Sequence, residues 1–234
     1  MSKDPVRVFI ATSPGTDDLD AEIVLEYTLK KNCSRDIEVI FMRNNTEEGN
    51  FFGFHDDSKW TTPFTNLRWV IPEYCEFKGR AIYMDVDIFN LRDIAELFDT
   101  DMKGKPLLIR KNTKIPRSCI MLMDCEKLRP YMDPVDFIRN HTHSPYIDRI
   151  LGSLVDVAGE YDSRWNVLDD EGRDISDMWN LHFTNMKTQP WKPQWGLDYP
   201  ARHGYVMKHE EHKRPDVVAL WKELLIEAKS QNNS

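Results

Sequence analysis

No stretch of this sequence approaches the run of about 18 apolar residues that a membrane-spanning helix requires. The 41% hydrophobic content of its 234 residues is ample for a core buried in water, within one large α/β domain or two small ones. The opening, MSKDPVRVFIATS, lacks the long apolar core of a secretory signal, and the expected location is cytoplasmic. Four cysteines, Cys33, Cys75, Cys119 and Cys125, form no CxxC pair and no zinc spacing. That excludes a disulfide framework and points to reduced thiols, so sequons such as Asn44-Asn45-Thr46 carry little weight. Basic blocks are missing too: the net charge is −8 with both signs dispersed, which argues against nucleic acid as a partner. There is no GxGxxG, hence no dinucleotide fingerprint, and no internal repeat.

What the chain does have is concentrated in residues 79–98, GRAIYMDVDIFNLRDIAELF. Residues 81–84 are a short bulky run that suits a buried strand. Asp85-Val86-Asp87 ends it, and Leu91, Ile94, Ala95 and Phe98 then recur at helical spacing with Asn90 placed to cap. In an extended chain residues two apart project to one side, so Asp85 and Asp87 can converge on one point. Converging carboxylates repel unless a cation lies between them, and oxygen ligands suit Mg²⁺ or Mn²⁺. Such triplets also occur as solvated turns or caps, and a strand before with a helix after favours a site beyond a sheet edge.

Along the chain, residues 6–11 read as a strand, 12–18 as a turn, 20–31 as a helix and 37–42 as a second strand. This is the opening of a Rossmann-like half, and the turn after its first strand is where a base or ribose would lie. Ala11 and Thr12 stand there, as ligand contacts or as an ordinary strand end. Residues 44–62 have no period and read as a long loop. Residues 64–76 look helical, with Pro72 as the stop; Arg68 reads either as a surface arginine with its stem along apolar surface or, among Phe64 and Trp69, as a buried one that needs an anion, phosphate or an acidic residue at the strand end. Residues 106–109 and 118–123 are further strands, and 133–139 and 145–157 helices. Residues 178–183 read as a late strand with His182 near its end, and Lys187 and the Pro190-Trp191 turn follow. Residues 192–214 are loop-like. Residues 215–229 close the chain as an amphipathic helix with Val218, Trp221, Leu225 and Ala228 inward, and 230–234 are expected to be a disordered tail.

Taken together, VFIATS, Arg68, IYMDVDIFNLRDIAELF, SCIMLMDC, RWNVLD and LHFTNMKTQPW resemble, in this order, the GT-A glycosyltransferases of family 8, the glycogenin and lipopolysaccharide galactosyltransferase group. The resemblance covers about 180 residues. It implies a GT-A fold, a Rossmann-like mixed central sheet flanked by helices, as one domain over residues 1–229. It implies Mn²⁺ (or Mg²⁺) held by Asp85, Asp87 and His182, and a UDP-sugar donor. Ala11 and Thr12 would line the base and ribose pocket, with Val86 near the ribose. Arg68 would touch the donor sugar or the carboxylates, and Lys187 would neutralise the departing diphosphate. Such enzymes retain anomeric configuration. The acceptor, a glycan, a lipid-linked glycan or a protein hydroxyl, is left open.

Three features depart from the family pattern. Arg117-Ser118-Cys119 replaces Asn-Ala-Gly, the Asp-Gln pair beside the anomeric carbon is not recognisable in residues 144–151, and the spacing from His182 to Pro190-Trp191 is one residue longer. Two other readings stand beside this one: a nucleotidyltransferase that makes sugar nucleotides, for which the first turn offers Gly15 alone, and a non-catalytic nucleotide-sugar-binding protein. Either residues 44–62 or residues 192–214 would close over the donor to keep water out.

Overall fold

The computed structural model describes residues 4–58, 60, 62–111, 117–140, 153–192 and 209–231. In chain order the strands are β1 Val6–Ala11, β2 Ile37–Met42, β3 Arg80–Asp85, β4 Ile88–Asn90, β5 Leu107–Arg110, β6 Arg117–Asp124, β7 Gly159–Glu160, β8 Val167–Leu168 and β9 Asn180–His182. The helices are α1 Leu19–Asn32, α2 Ile71–Tyr74, α3 Ile94–Phe98, α4 Cys125–Leu128, α5 Val135–Arg139 and α6 Pro215–Gln231. No helix among the described residues is long and apolar enough to cross a membrane.

The chain forms two compact units. The first comprises Met1–Pro14, Ser34–Asp85 and Ala95–Ser163. Its frame is a six-stranded mixed sheet in the order β2-β1-β3-β6-β5-β7. β1 runs parallel to β2 and β3, whereas β6 is antiparallel to both β3 and β5. Bulky β-branched and sulfur-bearing residues make β1, β3 and β6 central strands: Val8, Ile10, Ile82, Met84, Ile120 and Leu122 are fully buried. Asp124, which ends β6 as the sequence suggests, caps α4 by accepting the Lys127 N–H.

Residues 64–76 form no single helix. Leu67–Val70 is a 3-10 turn, and Pro72 lies in the first turn of α2 instead of stopping a helix, because the missing N–H of proline is harmless there. Within the 44–58 segment Asn44 holds His55 at both ends, its Oδ1 accepting the His55 N–H and its Nδ2 donating to the His55 carbonyl.

The second unit comprises Gly15–Cys33, Val86–Ile94 and Arg164–Ser234. α1 buries Ala21, Val24, Leu25, Thr28 and Leu29 as its periodicity predicts. A three-stranded sheet in the order β4-β9-β8 joins residues far apart in the chain. Asn90, expected as a helix cap, instead closes β4: its amide donates to Asn180 Oδ1 at 2.7 Å, and α3 begins only at Ile94. A strand partner ninety residues downstream outweighs the local capping preference, and nothing local announces it. The late strand is shorter than residues 178–183, with Met178 and Trp179 outside β9. In α6 the buried positions are Val217, Trp221, Leu224 and Ala228. Val218 and Leu225, expected inward, are half-buried, a rotation of the face by one residue. α6 runs on through Ser230, whose hydroxyl donates to the Glu227 carbonyl, so the expected tail is helical to Gln231. Residues 232–234, 141–152 and 193–208 lie outside the described residues, and with them most of the expected 145–157 helix and 192–214 loop.

Candidate active site

In the first unit Asp85 is the last residue of β3, and the parallel register sets Ala11 beside it on β1. Ala11 and the following Thr12 are fully buried, and the Thr12 N–H donates to the Met42 carbonyl at 3.1 Å. Arg68 reaches the same edge. Its Nη2 lies 3.1 Å from Asp85 Oδ1, its Nη1 donates to the Ser118 carbonyl at 2.7 Å and to Ser118 Oγ at 3.1 Å, and its Nε donates to the Thr65 carbonyl. The guanidinium also sits 4.5 Å over the Tyr83 ring. Side-chain exposure is 8% for Arg68 and 18% for Asp85, so this is a desolvated pair whose donors are occupied on three sides. The phenol of Tyr83 donates to the same Asp85 oxygen. Burial pushes that phenol well above its ordinary range, which keeps the donated proton in place. The acidic partner expected for a buried Arg68 is therefore Asp85.

In the second unit Val86 is buried, and Asp87 follows it in the turn that leads into β4. The antiparallel register sets Ile88 opposite His182 on β9, and the Phe183 N–H donates to the Asp87 carbonyl at 2.9 Å. This pairing brings His182 Nε2 to 3.1 Å from Asp87 Oδ1. The oxygen is buried yet accepts no hydrogen bond, including none from that imidazole. Adjacent ligands on an octahedral divalent ion, at about 2.1 Å each, stand about 3 Å apart. A carboxylate oxygen and an imidazole nitrogen at that spacing, close but not hydrogen-bonded, fit two ligands of one such ion. One carboxylate oxygen and one imidazole nitrogen are donors that a first-row divalent ion accepts.

Gln189, which sequence reasoning passed over, is 1% exposed and donates from Nε2 to Asp87 Oδ2 at 2.9 Å and to the Phe183 carbonyl at 3.0 Å. Its one sequence signal is a lone amide next to a Pro-Trp turn. Phe183 packs edge-on against Trp191, and the Trp191 indole N–H donates to Asp18 Oδ1 at 2.9 Å. Lys192 Nζ lies 3.2 Å from the same Asp18 oxygen, a buried pair that anchors the end of this loop. Lys187 stands apart: it is 43% exposed and its Nζ lies 3.4 Å from Glu210 Oε1. Within each unit the structure thus gathers Ala11, Thr12, Arg68 and Asp85 in one and Val86, Asp87 and His182 in the other.

The sequence profile described as "Glycosyl transferase family 8" matches residues 9–131. Among solved structures the chain is similar to the galactosyltransferase LgtC in complex with donor and acceptor sugar analogs, at 13% identity and a TM-score of 0.58 over 90% of this chain and 99% of that one. It is similar to the glycosyltransferase GlyE of Streptococcus pneumoniae TIGR4, at 13% identity and a TM-score of 0.60 over 98% of this chain and 64% of that one. The bifunctional glycosyltransferase WbbM matches at 11% identity and a TM-score of 0.59, over 93% of this chain and 51% of that one. The chain thus spans about half of WbbM and under two thirds of GlyE. No curated protein compared with it matches significantly. These structures are GT-A glycosyltransferases, and the α/β arrangement around a mixed central sheet is theirs. The profile match takes in the end of β1, Arg68, both aspartates and β6, and this chain belongs to glycosyl transferase family 8.

Proposed function

We propose that this glycosyltransferase moves a sugar from a nucleoside-diphosphate donor, a UDP-sugar, to an acceptor hydroxyl with retention, assisted by Mn²⁺ (or Mg²⁺) held by Asp85, Asp87 and His182. The reading carries over to a single catalytic domain in a cytoplasmic protein whose acceptor is a glycan, a lipid-linked glycan or a protein hydroxyl. The observation that carries it is the buried, hydrogen-bond-free Oδ1 of Asp87 at 3.1 Å from His182 Nε2. Asp85, the first carboxylate of the same Asp85-Val86-Asp87 motif, is assigned to the ion by the family resemblance.

Breaking the bond between the anomeric carbon and the phosphate oxygen sends the electron pair to the departing diphosphate, while the acceptor hydroxyl oxygen forms the new bond to that carbon and its proton passes to the departing phosphate oxygen or to solvent. A divalent ion bound at these ligands supplies positive charge at the diphosphate, which is worth several kcal/mol in such reactions. The protein's own residues do the rest. His182 lies in β9, and Asp87, in the turn just before β4, is tied to that strand pair by the Phe183 N–H on its carbonyl. Arg68 holds the Asp85 carboxylate in orientation through its Nη2. Ala11 and Thr12 line the base and ribose pocket, with the Val86 backbone beside the ribose. Lys187, half-exposed and paired only loosely with Glu210, is free to swing and balance the charge of the departing diphosphate.

The test is Asp87→Ala, assayed as UDP release from a panel of UDP-sugars with MnCl₂. Turnover should fall by about 10³-fold, the equivalent of about 4 kcal/mol. Turnover within a few-fold of the parent protein would overturn the assignment.

A further inference from the structure

The buried amide of Gln189 has two acceptors against its nitrogen end, a carboxylate oxygen of Asp87 at 2.9 Å and the Phe183 carbonyl at 3.0 Å. Two acceptors on that end settle which end of the amide is the nitrogen, and both its hydrogens are spent. Phe183 in turn donates its N–H to the Asp87 carbonyl. Asp87 is thereby held twice from one segment, through its backbone by Phe183 and through its side chain by Gln189. With Oδ2 fixed on the amide, the carboxylate plane is set and Oδ1 is turned toward His182 Nε2. The Gln189 Oε1 atom is itself buried without a hydrogen-bond partner. A carboxylate that had merely to be satisfied would use both oxygens, and here one is held while the other is kept for something else.

We propose that Gln189 is the positioning residue of the metal site, clamping Asp87 Oδ2 so that Oδ1 faces the cation alongside the His182 imidazole. The clamp acts through Asp87 and touches neither donor nor acceptor. It rests on the reading of Asp87 as a cation ligand. Its expected effect is on metal affinity, where loss of an outer-shell hydrogen bond to a ligand typically weakens binding about 10- to 100-fold.

The experiment titrates MnCl₂ into the full chain, with and without UDP, following the free Mn²⁺ signal by electron paramagnetic resonance. The parent protein is compared with Gln189→Met, which keeps the volume and removes both donors, and with Asp87→Asn. Gln189→Met should bind Mn²⁺ about 10- to 100-fold more weakly while remaining folded, with the melting-temperature loss from its two unpaired acceptors measured separately in the metal-free protein. Its turnover should recover to within about threefold of the parent when Mn²⁺ is raised to saturation, a metal rescue that a purely structural defect would not give. Gln189→Asn, a methylene too short to reach Asp87, replaces it with the same expectation if the methionine variant does not fold. Parent-like Mn²⁺ affinity in a folded Gln189 variant, with Asp87→Asn defective, would overturn the clamp and leave the metal site standing. Failure of the parent protein itself to bind Mn²⁺ would instead overturn the reading beneath it.

Discussion

Asp85 and Asp87 are one residue apart in the chain and are held in opposite ways. Asp85 is surrounded by donors: the Arg68 guanidinium and the Tyr83 phenol both meet its Oδ1. Asp87 is held by an amide on Oδ2, and its Oδ1, though buried, accepts nothing. The first arrangement is what a fold does with a buried charge it must keep. The second leaves a desolvated oxygen in reserve, at a cost that a purely structural role does not explain. The two proposed ligands of one short motif are therefore held differently: Asp85 also ties the end of β3 to the Arg68 segment through its Oδ1, whereas the Oδ1 of Asp87 faces only the His182 imidazole. Substitutions that treat them as equivalent should expose the difference.

The largest effect on stability is expected at Asp85. Asp85→Ala leaves the 8%-exposed Arg68 side chain without its carboxylate and the buried Tyr83 phenol without its acceptor. Breaking a buried pair by removing one partner costs about 3–5 kcal/mol. Urea denaturation of the metal-free protein should show a loss in that range, and a loss below about 1 kcal/mol would mean that the pair is not desolvated as described.

The next effect separates the two buried histidines. His55, in the first unit, faces the Asn66 amide at 3.1 Å through Nδ1, and burial, aided by the nearby Arg139 charge, lowers its pKa to about 4. His182, in the second unit, faces a carboxylate. For a base with a depressed folded pKa the native state stays neutral where the unfolded chain already binds a proton. His55 therefore adds nothing to the pH dependence above pH 6.5, destabilises increasingly as pH drops from there toward about 4, and carries its full penalty below that. At about 1.4 kcal/mol for each tenfold change in proton affinity, the loss is about 3 kcal/mol. The stability of the parent protein, followed by denaturant titration between pH 7 and pH 4, should carry this component, and His55→Gln should lack it. Parallel pH profiles for the two proteins would refute the buried, neutral state of His55.

These contrasts also mark what the sequence could and could not tell. β1 and β2 were legible to the residue because a bulky run bounded by turn residues has few alternatives. The partner of Arg68 was legible because an arginine among buried aromatics has to find an anion. Asn90 was misread, since its helix-capping chemistry is local and its actual partner, Asn180, is not. The role of Gln189 lies beyond sequence reasoning for the same reason: its contact with Asp87 spans 102 positions, and a glutamine before a proline carries no period and no charge. Local patterns were readable, and contacts made by pairing distant strands were not.

The smallest expected change in stability belongs to the residue with the largest expected change in turnover. Asp87→Ala removes a carboxylate that lies in a half-buried site 21% exposed, facing an imidazole and one amide hydrogen. Losing it leaves one Gln189 hydrogen without its acceptor, a penalty of about 1–3 kcal/mol for a buried donor. It also relieves the desolvation of a buried charge, which works in the opposite direction by a comparable amount. The two offset, and the metal-free variant should unfold within about 1 kcal/mol of the parent protein. Adding MnCl₂ with UDP should then separate the two proteins. A ligand at 100 times its dissociation constant raises the parent's stability by about 2.7 kcal/mol and leaves the variant where it was. Destabilisation of the metal-free Asp87→Ala protein as large as that of Asp85→Ala would erase the distinction, for both aspartates would then be parts of the scaffold.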